Sequence, residues 1–233
     1  MGAAQLAHVL GIPAFLSDAK ALSEKDKERL NHWGIDYEEN GHDVDRLKAA
    51  AAIIKSPGIP HTAAIIKALK AGGAVVLGEV DWAANYTAAK LIGITGSNGK
   101  TTTTSLLFHI CQVAEQDAAM VGNIGFSFAR QIAQDPKALY VIEVSSFQLD
   151  DIHFFKPDIA ILLNITEDHL DRYNYEFEKY VKSKFRIIEN QTETDCFIYC
   201  IDDEVIVKHL ALLTYNTNPL PFSMKQEVKK GGY

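Results

Sequence analysis

The chain has 233 residues, of which 47% are hydrophobic and 23% charged, and its formal net charge at pH 7 is −7. That composition is typical of a globular protein with room for two modest domains, and no basic block offsets the negative charge, so we expect neither nucleic acid nor a membrane as a partner. The three cysteines, Cys111, Cys196 and Cys200, lack C-x-x-C spacing, which indicates neither a zinc site nor a disulfide framework and favours a reduced, cytoplasmic protein.

The first residues predict structure and not a targeting signal. Residues 1–16 have no basic start, and position 6 is Leu6, where a myristoylation motif needs Ser or Thr. The pattern predicts a helix at 2–10 and a strand at 13–16. In a doubly wound sheet such a helix normally follows a first strand and a Gly-rich turn, so we expect that strand to be missing here.

Strands and helices alternate through the next part of the chain. The apolar periodicity and the turn residues predict helices at 23–33, 43–50 and 62–71 and strands at 51–55 and 74–77. This alternation implies a parallel, Rossmann-like sheet, which we assign to a first domain, residues 1–88. Residues 79–90 are interpreted as the linker into a second domain, residues 89–233.

Two turns of the first domain are candidate ligand contacts. Asp18 follows the strand 13–16, where an acidic residue commonly meets a nucleotide's ribose or base. A simple cap or turn role explains Asp18 equally well. Ser56, Pro57 and Gly58 end the strand 51–55 in a turn whose backbone could approach a ligand, although most Pro-Gly pairs form only turns.

The stretch LIGITGSNGKTTTTSLL, residues 91–107, has the layout of a phosphate-binding loop. A buried strand breaks into a Gly-rich turn, in which Gly96 and Gly99 let backbone N–H groups approach anionic oxygens at the start of a helix. Lys100 would supply a charge for terminal phosphates and Thr101 a hydroxyl for Mg²⁺. The predicted ATP-binding residues are Gly96, Ser97, Asn98, Gly99, Lys100, Thr101 and Thr102.

The loop departs from G-x-x-x-x-G-K-[ST] in one place, because Ile94 stands where the first Gly is expected. The alternative is an ordinary βα turn followed by a solvent-facing Lys, and the order of strand, loop, Lys-Thr and helix disfavours it. The helix after the loop is predicted to pack one apolar face on the sheet, with Cys111 in the core. That face consists of Leu106, Leu107, Ile110, Cys111 and Ala114.

Three further strands, at 118–121, 139–144 and 159–163, each lead into polar residues at the carboxyl end, where ligands bind in open α/β sheets. Asn123 follows the first. Glu143 lies inside an apolar run, which is costly unless the carboxylate is paired or bound to metal, and a phosphate loop beside it favours Mg²⁺. His169 follows the third strand, and a hydrogen-bonded loop histidine is the alternative there.

Lys184 falls on the apolar face of the next predicted helix. It continues the spacing set by Phe177, Tyr180 and Val181. Burial would favour the neutral amine, which can react with CO₂ to form a carbamate. From periodicity alone we prefer a snorkelling Lys with only its stem buried. A last strand at 196–201 is followed by loop and a basic tail, 225–233, with no packed closing element.

Five motifs together resemble, in this order, the central domain of the Mur ligase family: GITGSNGKTTTT, GNIG, VIEVSSFQLD, NITEDHLDRY and YVKSKFRIIEN. The family's loop also lacks the first Gly, which accounts for Ile94. The stretch SSFQLD favours members that add D-glutamate to UDP-N-acetylmuramoyl-L-alanine over sister ligases and folylpolyglutamate synthase. The resemblance implies a cytoplasmic, monomeric, ATP- and Mg²⁺-dependent ligase of peptidoglycan precursor synthesis that works through an acyl phosphate.

The resemblance also assigns roles to single residues. By position, Lys100 would hold the ATP phosphates and Thr101 and Glu143 would bind Mg²⁺. His169 is similar to the family's second-metal ligand and Lys184 to its carbamoylated lysine, so that Lys100, His169 and Lys184 are the implied catalytic residues. The implied substrate contacts are Asn123 for the muramoyl part and Asp18, Ser56, Pro57 and Gly58 for the uridine nucleotide.

The chain is shorter than the resemblance would require. Family members are about twice as long, and a third domain binds the amino acid and closes over ATP. We therefore expect this chain to be a fragment with an incomplete central domain and no ligase activity of its own. Two other functions stay open: a non-catalytic nucleotide-binding module, and folylpolyglutamate synthase, against which the retained first domain speaks.

Overall fold

A computed structural model gives the structure of the chain and describes residues 1–124 and 126–232. Gly125 of the GNIG motif and Tyr233 at the end of the basic tail lie outside the described residues. The predicted α/β class is confirmed, since helices alternate with strands and the ladders of the described strands are parallel. None of the helices in that part of the chain has the length and apolarity needed to span a lipid bilayer.

The first part of the chain builds two small sheets. Its elements are α1 (Gly2–Val9), β1 (Phe15–Ser17), α2 (Glu24–Trp33), β2 (Asp36–Glu38), α3 (Val44–Lys48), β3 (Ile53–Lys55), α4 (Ala64–Ala71) and β4 (Val76–Gly78). β1 pairs with β2, and β3 pairs with β4, in separate two-stranded ladders. Ser23 caps α2 by accepting a hydrogen bond from the Asp26 N–H.

The segment predicted as a linker contains a packed helix, α5 (Glu79–Ala84). Asp81 is fully buried, and its Oδ1 accepts hydrogen bonds from the backbone N–H groups of Phe154 (2.7 Å) and Phe155 (2.6 Å). Glu79 accepts in the same way from the Ala129 N–H at 2.7 Å. The sequence did not predict α5 because six residues are too few to establish a helical period.

The second part forms one six-stranded parallel sheet in the order β10-β9-β8-β5-β7-β6. Its elements are β5 (Lys90–Thr95), α6 (Lys100–Val113), β6 (Ala118–Gly122), α7 (Phe128–Gln134), β7 (Leu139–Glu143), α8 (Ser146–Leu149), β8 (Ile159–Leu162), a 3-10 helix (Leu170–Tyr173), α9 (Phe177–Phe185), a second 3-10 helix (Arg186–Ile188), β9 (Cys196–Cys200), α10 (Glu204–Leu210) and β10 (Asn218–Phe222). Strand order reverses at β5, with β7 on one side and β8 on the other. Ligands of open α/β sheets bind at the carboxyl ends of strands at such a switch point.

The prediction that nothing packed closes the chain is wrong. β10 pairs in parallel with β9 from Asn218 opposite Cys196 to Phe222 opposite Cys200. Pro219 and Pro221 weaken the strand pattern of this segment, because a proline cannot donate to a ladder. An edge strand tolerates prolines, since its outer N–H positions need no partner strand.

The apolar face predicted for α6 also needs correction. Leu106 and Ile110 are 57% and 53% exposed, and Ala114 is exposed, whereas Cys111 is buried as predicted. Thr104 completes the buried stripe, because its hydroxyl donates to the Lys100 carbonyl at 2.8 Å and so needs no water. Because Thr104 counts as polar in the sequence pattern, the buried face of α6 differs from the predicted one.

One hydrophobic cluster crosses the predicted boundary at residue 88. Leu6 and Val80 from the first part lie in the same buried cluster as Phe128 and Tyr140 from the second. At the surface of that cluster, a Cβ added to Gly2 would overlap the Ser127 side chain at the start of α7. The first part is therefore held against the large sheet by a common core.

Candidate functional site

The loop between β5 and α6 lies at the switch point and is held in place by the segment that follows β8. The Ser97 N–H donates to the Asn164 carbonyl at 2.9 Å, and the Asn98 N–H donates to Asn164 Oδ1 at 2.8 Å. Gly99, at φ 80°, has the left-handed backbone that lets the loop enter α6. The loop conformation is therefore fixed by protein contacts.

Ser97 has a structural role in this arrangement. Its side chain is buried, with the hydroxyl donating to the Thr166 carbonyl at 2.9 Å and lying 3.0 Å from the Tyr180 hydroxyl. The first N–H groups of an α-helix have no acceptor within the helix. The donors best placed for an anion are therefore those that open α6, where Thr101 and Thr102 form the first turn.

Lys100 lies folded back over the loop. Its ammonium group donates to the carbonyls of Gly96 (2.8 Å) and Ser97 (2.9 Å). Both acceptors are neutral, so a phosphate bound at the helix start would offer this ammonium a stronger, charge-assisted partner.

Glu143 joins three elements at the carboxyl edge of the sheet. The residue ends β7 and is 1% exposed. Its Oε2 accepts from the Thr101 hydroxyl at 2.8 Å, and its Oε1 accepts from Asn123 Nδ2 at 2.7 Å. The structure therefore brings together Thr101, Glu143 and Asn123, and a buried carboxylate is satisfied by a hydroxyl and an amide.

Replacing Gly122 with alanine is expected to lower the free energy of unfolding by about 2 kcal/mol or more. Gly122 has φ 104°, and an added Cβ would overlap the Glu143 carbonyl oxygen. Urea denaturation measures the loss. Gly58→Ala is the control, because open space surrounds that position and its φ is ordinary. Equal stabilities of the two variants would contradict the expected strain.

Lys184 lies deeper than the snorkelling interpretation allows, and that interpretation is wrong. The residue is 1% exposed, and its ammonium donates to the Gly96 carbonyl at 2.8 Å and to the Thr95 hydroxyl at 3.3 Å. Burial, helped by the nearby Lys100 charge, lowers the pKa of Lys184 to about 7, against the opposing effect of carboxylates that include Glu143. A neutral amine is thus accessible near neutral pH.

The stability of the fold is expected to rise with pH because of Lys184. Between pH 7 and 10.5 the unfolded chain keeps this proton and the folded chain does not. The free energy of unfolding should therefore rise by up to about 1.4 kcal/mol per pH unit in that window, relative to a variant without the amine. Urea denaturation of the original chain and of Lys184→Met from pH 6 to 9, in CO₂-free buffer, measures this difference.

The matched control is Lys182→Met, which removes an exposed lysine from the same helix. Its stability should follow that of the original chain at every pH. A constant difference between the original chain and Lys184→Met would show that the amine keeps its usual pKa.

His169 is not joined to Glu143 by any contact that the described residues show. Its side chain is 56% exposed, with Nε2 lying 3.6 Å from Asp168 Oδ2 and the ring centroid 5.2 Å from that of Phe147. Within residues 1–124 and 126–232, no group of three or more His, Cys, Asp or Glu side chains is arranged to hold a metal. Of the predicted metal ligands, Thr101 and Glu143 are in direct contact through a hydrogen bond.

Asp18 takes the turn geometry that the sequence left open as its alternative role. Asp18 Oδ1 accepts from the Lys20 N–H at 2.8 Å, and the Asp18 N–H donates to the Glu38 carbonyl at 3.1 Å. These contacts shape a turn at the carboxyl end of β1.

The Ser56-Pro57-Gly58 turn is closed by a hydrogen bond from the Ile59 N–H to the Ser56 carbonyl at 3.0 Å. Ser56 and Gly58 are exposed. Just before the turn, the buried Lys55 ammonium lies 2.7 Å from Asp151 Oδ2 of the second part. This pair was not predicted from the sequence, although Lys55 ends an apolar strand in the same way as Glu143.

Comparisons with known proteins agree with the motifs. The model of the Mur ligase middle domain matches residues 94–230, and that of the MurD N-terminal domain matches residues 8–65. A UDP-N-acetylmuramoylalanine--D-glutamate ligase from Porphyromonas gingivalis is 48% identical over 225 residues, 97% of this chain and 50% of that protein. A protein of the same name from Christiangramia forsetii is 46% identical over 100% of this chain and 52% of its own length. The chain thus spans about half the length of these curated relatives.

Solved structures share the fold at low sequence identity. A UDP-N-acetylmuramate:L-alanyl-gamma-D-glutamyl-meso-diaminopimelate ligase from Neisseria meningitides has a TM-score of 0.62 at 18% identity, covering 99% of this chain and 78% of its own. A MurF ligase from Thermotoga maritima, solved in complex with ADP, has a TM-score of 0.52 at 18% identity and covers 77% of this chain and 49% of its own.

Proposed function

This chain belongs to the Mur ligase family, and from that membership and the Thr101–Glu143 contact we propose that it carries the ATP and uridine-nucleotide sites of a peptidoglycan precursor ligase. The reaction proposed for the whole protein joins D-glutamate to UDP-N-acetylmuramoyl-L-alanine and consumes ATP. The two curated relatives reported above carry that activity in their names. We extend the proposal to a monomer in the cytoplasm, with residues 1–88 and 89–233 as its uridine-nucleotide and ATP domains.

The contact between Thr101 and Glu143 supports the proposal most directly. A hydroxyl and a carboxylate meet at 2.8 Å beside the phosphate-loop lysine. Both are hard oxygen donors, which suits Mg²⁺, so Thr101 and Glu143 fit the ion that the family implies. Bound there, Mg²⁺ would neutralise charge on the ATP phosphates.

At this edge of the sheet, Lys100 and Asn123 would contact the two substrates. Lys100 would leave the Gly96 and Ser97 carbonyls for the terminal phosphate and stabilise the charge that gathers there. The alanyl carboxylate of the substrate attacks the γ-phosphorus and ADP leaves, which gives an acyl phosphate. The amine of D-glutamate then attacks the acyl carbon, and phosphate leaves. Asn123, hydrogen-bonded to Glu143, is proposed to contact the muramoyl part.

Lys184 and His169 are proposed to serve a second metal. The neutral Lys184 amine attacks the carbon of CO₂, a nitrogen–carbon bond forms, and the amine proton passes to solvent, which leaves a carboxylate on the side chain. The lowered pKa of about 7 supports this step, because only the neutral amine is nucleophilic. His169, whose side chain is 56% exposed, would be the other protein ligand of that ion.

Carbon-13 NMR in labelled bicarbonate tests the carbamate. We expect one carbamate resonance from the original chain and from Lys182→Met, and none from Lys184→Met. A spectrum of the original chain without this resonance would leave the second-metal role unsupported.

Calorimetric titration of the chain tests the function. We expect binding of ATP with Mg²⁺, and separate binding of UDP-N-acetylmuramoyl-L-alanine through the first part of the chain, where Asp18, Ser56, Pro57 and Gly58 are the proposed contacts. ATP binding that ignores the uridine nucleotide would favour a non-catalytic nucleotide-binding module. Binding of folate in its place would favour folylpolyglutamate synthase. D-Glutamate-dependent release of ADP would show that these 233 residues suffice for the reaction.

A further inference from the structure

We propose that Lys55 and Asp151 are positioning residues: their buried ion pair fixes the Ser56-Pro57-Gly58 turn relative to the Thr101–Glu143 contact and thereby sets the affinity for the uridine nucleotide. That the ligand is a uridine nucleotide rests on the proposed function. The geometry of the ion pair is independent of that function.

Lys55 holds the turn from inside. Its ammonium lies 2.7 Å from Asp151 Oδ2 and donates to the Ile59 carbonyl, also at 2.7 Å. The Ile59 N–H in turn closes the turn onto the Ser56 carbonyl. Both charged side chains are 2% exposed, so each is the other's main compensation for lost water. A single ammonium thus shapes the turn and attaches it to the second part of the chain.

Asp151 contacts the last residue of both strands in the β3–β4 sheet. Besides Lys55, the Gly78 N–H at the end of β4 donates to the Asp151 carbonyl at 3.3 Å. His61, just after the turn, has Nδ1 3.4 Å from Asp151 Oδ1. A Cβ on Gly78 would lie 3.1 Å from the Asp151 Cβ, which leaves little room between them. Asp151 therefore anchors the β3–β4 sheet, from which the Ser56-Pro57-Gly58 turn extends.

The path from Asp151 back to Glu143 is short and fixed. α8 starts in a capping box formed by Ser145 and Gln148, and Leu149 is fully buried. Next to Asp151, Asp150 Oδ2 accepts from the Tyr173 hydroxyl at 2.8 Å. Asp151 is therefore held at a fixed position relative to β7, which carries Glu143, and the β3–β4 sheet is attached at that position.

Two titrations on each variant test the pair, with UDP-N-acetylmuramoyl-L-alanine and ADP with Mg²⁺ as probes. We expect Lys55→Met to raise the Kd for the uridine nucleotide about tenfold and to change the Kd for ADP less than about twofold. Asp151→Asn should act in the same direction, and Lys55→Arg, which keeps the charge, should recover part of the affinity. Lys90→Met is the matched control, since Lys90 pairs with Asp158 at 2.7 Å but is 74% exposed at the other end of β5.

If the pair had only a structural role, its loss would weaken the binding of both ligands together, and Lys55→Arg would not recover the affinity for the uridine nucleotide. Unchanged uridine-nucleotide binding in folded Lys55→Met or Asp151→Asn would overturn the proposal. If Lys55→Met does not fold, Asp151→Asn and Lys55→Arg carry the test.

Amide hydrogen exchange provides a readout that needs no ligand. In the folded variants, exchange at the Ile59 and Gly78 amides should accelerate, while amides that pair β5 with β7 should not change. If the original chain binds no uridine nucleotide, the proposed function fails. Acceleration at Ile59 and Gly78 would still support the pair as the element that fixes the turn, and unchanged exchange there would overturn it.

Discussion

Replacing Lys100 with methionine is expected to weaken ATP binding about 100-fold, which corresponds to the upper range for loss of a charge-assisted hydrogen bond. The ammonium lies over the phosphate loop on two neutral carbonyls, so its transfer to a phosphate exchanges weak acceptors for strong ones. Methionine preserves the length of the side chain and removes the charge. Calorimetry with ATP and Mg²⁺ at pH 7.5 measures the change in Kd.

Lys90→Met serves as the control for this loss, because Lys90 is the exposed first residue of β5, the strand that leads into the loop. Its ATP affinity should equal that of the original chain. The Lys100 variant has a second expected effect: it removes a charge that depresses the pKa of Lys184, so that pKa should rise. A loss of affinity below about threefold in Lys100→Met would argue against a phosphate-binding role.

Replacing Glu143 with glutamine is expected to abolish the Mg²⁺ dependence of ATP binding. In the original chain the affinity in Mg²⁺ should exceed that in EDTA by about 100-fold, and in the variant the two should agree. The amide keeps the size of the carboxylate and can still accept one of the two hydrogen bonds, from Thr101 or Asn123. The variant therefore separates the loss of charge from the loss of shape.

Glu178→Gln is the control for this change, since Glu178 is an exposed carboxylate on α9. It should retain the full response to Mg²⁺. Retention of the response in Glu143→Gln would mean that the ion is held by other groups, and the Thr101–Glu143 contact would then be only structural.

Local patterns predicted the main elements of the fold, and tertiary effects account for the differences. The strand, loop and helix from β5 into α6 follow from apolar residues and glycines that are close in sequence. β10 did not, because Pro219 and Pro221 are acceptable only on an edge that sequence cannot identify. The buried face of α6 was mistaken because burial of Thr104 depends on a hydrogen bond back to Lys100.

The site divides in the same way. Glu143 was predictable, because a carboxylate in an apolar run must find a partner, and its partners are Thr101 and Asn123. Periodicity put Lys184 on the apolar face but could not tell a buried ammonium from a snorkelling one, since the Gly96 carbonyl that it reaches belongs to a loop far away in sequence. Lys55 and Asp151 are also far apart in sequence, so only the fold shows that they meet.

The core shared by Leu6, Val80, Phe128 and Tyr140 has a practical consequence for anyone who dissects this molecule. A cut at residue 88 would leave both pieces with freshly bared apolar surface, and such pieces tend to aggregate when expressed alone. Heating the intact chain should accordingly melt both regions in a single cooperative transition. Replacing residues 1–88 with those of a distant relative would require compensating substitutions on α7, the helix of the second part against which they pack.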